Sequence, residues 1–178
     1  MNFASELRLI RGRVGEHTAA RIGRLLVEMD ELPVESCALA IHPHICWTRK
    51  LLQTDTKTRA FILYHEYVHI VYEHADLTIQ MMNRRALKHI KPARRQKLLV
   101  WLMEAWANSM AVQRLDYTPH VKNLSVVPEH EWTLACRHPK LWLVRKTIEL
   151  DAQKKTSRDI ERMIKSCYSP PRKTKGNA

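Results

Sequence analysis

Glycine is scarce in this chain, with four residues in 178. Each glycine inside a helix costs about 1 kcal/mol relative to alanine. Its scarcity, beside abundant Leu, Ala, Met, Lys and Arg, favours helix over sheet. A long apolar run is also missing. No stretch approaches the roughly 20 residues needed to span a bilayer, so a helical membrane span is not expected. The N-terminal residues MNFASELRLIRGRVG lack the apolar core and small-residue cleavage site of a secretory signal. Cys37, Cys46, Cys136 and Cys167 are scattered with no CxxC pair, which points to reduced thiols in a cytoplasmic protein rather than a disulfide framework. No internal repeat or second domain stands out. A single domain over 1–168 is expected, followed by a disordered basic tail over 169–178.

Acidic residues are short in number, 18 against 30 Lys and Arg, leaving a net charge of +12. Such a surplus suits contact with nucleic acid or another polyanion, and equally a solvated surface. Arg84, Arg85, Lys88, Lys91, Arg94, Arg95 and Lys97 cluster within fourteen positions. No aromatic residue interleaves them, so a base-stacking platform is not expected there. A second group, Arg172, Lys173 and Lys175, closes the chain.

What the chain does have is His65-Glu66-Tyr67-Val68-His69, an HExxH motif. On a helix, residues four apart lie on one face, so both imidazoles reach one metal ion and the glutamate can hold a water beside it. Every residue from Phe61 to Tyr72 outside His65, Glu66 and His69 is apolar or aromatic, as in a buried helix. A catalytic zinc takes three protein ligands and leaves a position for water. Glu104 is the one charged residue in LLVWLMEAWANSMAVQ, Leu98 to Gln113. A carboxylate there needs a metal or a buried partner, since burying it bare costs several kcal/mol. Pairing with an arginine, or exposure, is the alternative. Asn108 lies one turn on, placed to hydrogen-bond that carboxylate or line the site.

Other histidines compete less well. The longer metzincin pattern needs glycine at 72 and histidine at 75, where Tyr72 and Ala75 stand. His42 and His44 form an HxH pair that can as easily pack as ligate. His120, His130 and His138 lie near prolines or polar segments.

The motif is expected on a helix capped by Thr54, Asp55 or Thr56 and running to about His74 or further. A first amphipathic helix is expected over 16–29, and short strands at 37–41 and 45–47. Later helices are expected near 94–115, at 129–136 and after Pro139, the last with Ile160, Met163 and Ile164 among its apolar positions. The fold class is α+β, mostly helical, with a small β-sheet beside the HExxH helix.

The segment Thr58 to His69, TRAFILYHEYVH, together with Glu104-Ala105-Trp106-Ala107-Asn108 and Ala111, resembles ImmA/IrrE-type metallopeptidases, over about 16–119. That resemblance implies a gluzincin-like fold, with zinc held by His65, His69 and Glu104 and Glu66 as general base. It also implies a protein of bacteria, phages or mobile elements, some relatives acting on regulators of transcription. Val68 stands where the family often has glycine, and Met110 where an aromatic is usual. The 35 residues from His69 to Glu104 are a long separation.

The expected chemistry is peptide hydrolysis by a zinc-activated water, with a protein or peptide substrate. Tyr64, Tyr67, Tyr72 and His74 are candidates to stabilise an oxyanion. The competing expectation is a basic nucleic-acid- or protein-binding regulator whose metal site is structural or inactive.

Overall fold

The computed structural model describes residues 3–120, 124–153 and 159. Its described residues form a mostly helical α+β fold with one three-stranded sheet. In order they are α1 (Ala4–Val14), α2 (Glu16–Leu25), β1 (Leu26–Glu28), β2 (Ala38–Ile41), β3 (His44–Trp47), α3 (Thr56–Val71), α4 (His74–Met82), α5 (Pro92–Leu115), α6 (Glu129–Arg137) and α7 (Pro139–Ala152).

The helix α3 forms because Asp55 caps it. The Asp55 carboxylate accepts the Thr58 N–H at 3.0 Å, satisfying a donor that the first turn leaves open. As its apolar circumference requires, α3 is buried along most of its length. It packs against the sheet through β2 and β3 and against the buried middle of α5. Beyond α5 lie α6 and α7, with Trp142 packed edge-on to Trp106 at 6.1 Å. Pro92 occupies the first turn of α5, where its missing N–H costs nothing.

The sheet order is β1-β3-β2. A tight turn at His42-Pro43 makes β2 and β3 an antiparallel hairpin, with Ala40 opposite Ile45. The strand β1 joins parallel to β3, Val27 opposite Cys46. This leaves β2 at the sheet's outer edge, facing α3.

Several expectations need correction. The helix expected over 16–29 ends at Leu25, and residues 26–28 turn into a strand, because β3 offers them a parallel partner. The helix α1 is unforeseen. It docks through a buried ion pair in which Arg59 Nε donates to Glu6 Oε1 at 2.6 Å. The motif helix stops at Val71 instead of continuing. Glu73 adopts a left-handed conformation (φ 49°, ψ 47°), and α4 starts afresh at His74. Helix α5 begins at Pro92, earlier than Arg94. The positions Ile160, Met163 and Ile164, and the tail 169–178, lie outside the described residues. So does Cys167, while Cys37, Cys46 and Cys136 are unpaired thiols. Among the described residues, no helix is long and apolar enough to cross a membrane.

Candidate metal centre

Helices α3 and α5 meet at three side chains. His65 and His69, one turn apart on α3, bring their Nε2 atoms within 3.0 Å of each other. Glu104, from the buried centre of α5, sets Oε2 3.1 Å from His65 Nε2 and Oε1 3.5 Å from His69 Nε2. Ligands at about 2.0–2.1 Å around a tetrahedral Zn²⁺ lie about 3.3 Å apart. The imidazole–imidazole spacing and the two imidazole–carboxylate spacings, each to its own Glu104 oxygen, lie near that value. Two imidazole nitrogens and one carboxylate oxygen also suit zinc chemically. The donor set therefore fits a divalent metal, and it is the one such group of three among the described residues.

Electrostatics sharpen the picture. Burial alone would push the Glu104 carboxyl up, but the His69 and His65 imidazoles overcome it and hold it well below the usual carboxylate range. Glu104 therefore stays ionised and lends the cluster a fixed negative charge. Glu66 behaves in the opposite way. Burial, reinforced by the Glu104 charge, pushes its carboxyl up from 4.5 to about 7, against the pull of His65 and of the Ala40 N–H.

That amide is the sheet's contribution. The Ala40 N–H, on the outer edge of β2, donates to Glu66 Oε2 at 2.7 Å. It anchors one carboxylate oxygen of Glu66. A cleft of about 370 Å³ opens over the site, lined by Leu39, Ala40, Glu66, His69, Met103 and Glu104 among others.

His74 was expected among the four oxyanion candidates. The structure brings its Nδ1 to 2.9 Å from His69 Nδ1, buries it at 3% exposure and stacks it on Trp106, ring centroids 5.0 Å apart. It also lines the cleft over the His65, His69 and Glu104 cluster, whereas Tyr64, Tyr67 and Tyr72 line a second cleft with Val14, Met110 and Arg114. Burial first, then the His69 ring, pushes the His74 imidazole well below its ordinary value, so it is neutral near pH 7. The placement of His74 depends on the bend at Glu73, which periodicity does not show.

The remaining histidines stay outside the metal-ligand group, and Asn108 reaches the segment before α6. Asn108 donates to the Ser125 carbonyl at 3.1 Å and so tethers the segment before α6. His42 lines the cleft rim without joining the metal-ligand group. His44, His120, His130 and His138 are exposed and lie outside that group.

The basic cluster divides as well. Arg84, Arg85, Lys88 and Lys91 are exposed. Arg94 pairs with Asp151, tying α5 to α7. Arg95 is buried at 6% exposure and donates to the carbonyls of Met82 and Ile90. These two arginines hold the fold together rather than forming a free basic face.

The chain matches no protein-family model, no curated protein and no solved structure.

Proposed function

We propose that this chain is a zinc-dependent metallopeptidase in which His65, His69 and Glu104 hold the ion and Glu66 is the general base. The supporting observation is the convergence of those three donors from two helices, beside an open cleft and next to a buried glutamate. The resemblance of Thr58–His69 and Glu104–Asn108 to ImmA/IrrE-type metallopeptidases supports the same reading. On that resemblance, a regulatory or nucleic-acid-associated protein is the substrate.

A Zn²⁺ bound by the three residues would polarise a water in the cleft and lower its pKa toward neutrality. Glu66 then accepts a proton from that water on the carboxylate oxygen that Ala40 leaves available. The hydroxide so formed would add to the peptide carbonyl carbon, and as the C–N bond breaks Glu66 would pass the proton to the departing amine. A nearby cation shifts Glu66 toward its ionised form, the form that acts as a base. The Ala40 N–H keeps the carboxylate facing the cleft while the proton moves.

The test combines elemental analysis with peptide hydrolysis. The purified chain should carry about one zinc, and Glu104→Ala should lose it. Glu66→Gln should keep the metal while hydrolysis of a mixed peptide library, read by mass spectrometry, falls by about 100-fold or more. Hydrolysis that survives in Glu66→Gln removes the general-base assignment. A chain that takes up no zinc removes the whole reading.

The net charge and the exposed Arg84, Arg85, Lys88 and Lys91 favour one second reading, a basic regulator binding nucleic acid or protein with a structural or inactive metal site. Salt-sensitive DNA binding by a chain without hydrolytic activity would select it.

A further inference from the structure

We infer that His74 is the positioning residue of the metal centre: its Nδ1 accepts the His69 Nδ1–H and thereby holds the His69 Nε2 lone pair on the metal. The inference rests on the metallopeptidase reading, because the tautomer argument needs His69 to ligate through Nε2.

The two rings meet Nδ1 to Nδ1 at 2.9 Å, so one nitrogen carries the shared proton and the other offers a lone pair. A neutral imidazole carries one proton. If His69 gives Nε2 to a metal, its proton sits on Nδ1, and His74 must be the acceptor. The reverse arrangement, with His74 donating, puts the His69 proton on Nε2, where it blocks ligation. The direction of one hydrogen bond thus decides whether His69 is a ligand.

The cost of the competent direction is visible. His74 then carries its own proton on Nε2, and that atom is buried with no hydrogen-bond partner among the described residues. Its ring lies against Trp106, with the Tyr72 ring 6.2 Å away, so packing holds it. His65 has no comparable support. Its Nδ1 is buried and likewise without a hydrogen-bond partner among the described residues. Of these two imidazoles, His69 alone meets a protein acceptor at Nδ1 among the described residues. Such outer partners fix ring orientation and raise ligand basicity, and losing one typically weakens metal binding 10–100-fold.

Backbone geometry puts His74 in place. The helix α3 ends at Val71, Glu73 turns left-handed, and His74 opens α4. Within α4 the Thr78 hydroxyl donates to the His74 carbonyl at 2.7 Å. An uninterrupted helix would carry residue 74 about 500° round the axis from residue 69, which leaves it about 140° away from the face that His69 occupies.

The test compares two substitutions in the full chain. His74→Asn sets an amide oxygen near the position of Nδ1 and keeps an acceptor. His74→Phe keeps a ring against Trp106 and removes the acceptor. Zinc dissociation constants are measured by competition with a chromogenic chelator. His74→Phe should weaken zinc binding about 10–100-fold, and His74→Asn should stay within about threefold of the unaltered chain. Ring nitrogen NMR of the unaltered zinc-loaded protein should show a proton on His69 Nδ1, and His74 protonated on Nε2 alone. Equal losses in both variants would mean that packing matters and the acceptor does not, which overturns the inference. So would an unchanged constant in His74→Phe, or an NMR spectrum with the proton on His74 Nδ1. The NMR measurement needs no substitution, so it decides the matter even where a variant fails to fold. An unaltered chain that binds no zinc defeats the metallopeptidase reading, and this inference with it; the other outcomes leave that reading intact.

Discussion

Glu66 and Glu104 are the same residue type, equally buried, and driven in opposite directions. Glu104 has two imidazoles against its carboxylate. Glu66 has a backbone amide and a neighbouring negative charge. A pH dependence follows for the metal-stripped protein. For Glu66, the folded value of about 7 lies above the ordinary 4.5, so the fold favours the protonated carboxyl. Its contribution to stability is complete below about pH 4.5 and is lost as the pH rises through 7. The rise from 4.5 to about 7 corresponds to about 3 kcal/mol. Glu104 works in the other window: its contribution is present above its ordinary value and lost in acid below it. Urea unfolding of chelator-treated protein, compared with Glu66→Gln, should therefore show a loss of stability between about pH 4.5 and pH 7 that the variant lacks. The same profile in Glu66→Gln should be flatter by roughly that 3 kcal/mol. Coincident profiles would refute the burial argument. At this scale the sequence was legible where composition was extreme, as with Glu104 alone in an apolar helix. It was silent on the Ala40 amide, which is a backbone group with no sequence signature.

At the scale of elements, the break between α3 and α4 matters most. Apolar periodicity continues from Phe61 through Leu77 to Met81, and a single helix fits that pattern. The structure instead bends at Glu73, which pays a left-handed backbone penalty for a non-glycine residue. Glu73→Gly should remove the penalty while preserving the bend, and raise stability by about 0.5–1 kcal/mol in urea unfolding. A loss of stability would mean that the Glu73 side chain makes a contact worth more than the strain. The strand β1 and helix α1 were hidden for a related reason. Residues 26–28 continue a helical pattern and become a strand because β3 lies alongside. The helix α1 docks through Glu6 and Arg59, 53 positions apart, and no local window contains both. Asp55, by contrast, caps the helix start where the run of Thr54, Asp55 and Thr56 placed it, because a cap acts over three residues.

At the scale of the molecule, the basic cluster is two populations with different work. Arg95 satisfies two backbone carbonyls inside the fold. Arg95→Met should leave them unpaired and cost about 2–3 kcal/mol. Joint replacement of Arg84, Arg85, Lys88 and Lys91 by alanine should change stability far less, since exposed side chains away from special contacts each stay within about 0.5 kcal/mol. Thermal and urea unfolding of both variants measure this contrast. The alanine variant also tests the polyanion reading. Each of the four side chains that meets a DNA phosphate should take about 0.9 from the slope of log affinity against log salt. An unchanged slope would assign the surplus charge to solvation of the surface.

The sequence by itself determined the helical character, the buried motif helix and the residues able to ligate a metal, because these follow from composition, from a helix turn of four residues, and from a carboxylate with no charged neighbour in its segment. Only the tertiary structure decided that residue 104 lies against residues 65 and 69, that the residue 40 amide holds the Glu66 carboxylate, and that residue 74 faces the His69 ring. Each of these joins groups from different elements or lies across a backbone bend. Such contacts are set by the packing of α3 against the sheet and α5, and by one left-handed residue, which local patterning along the chain does not encode.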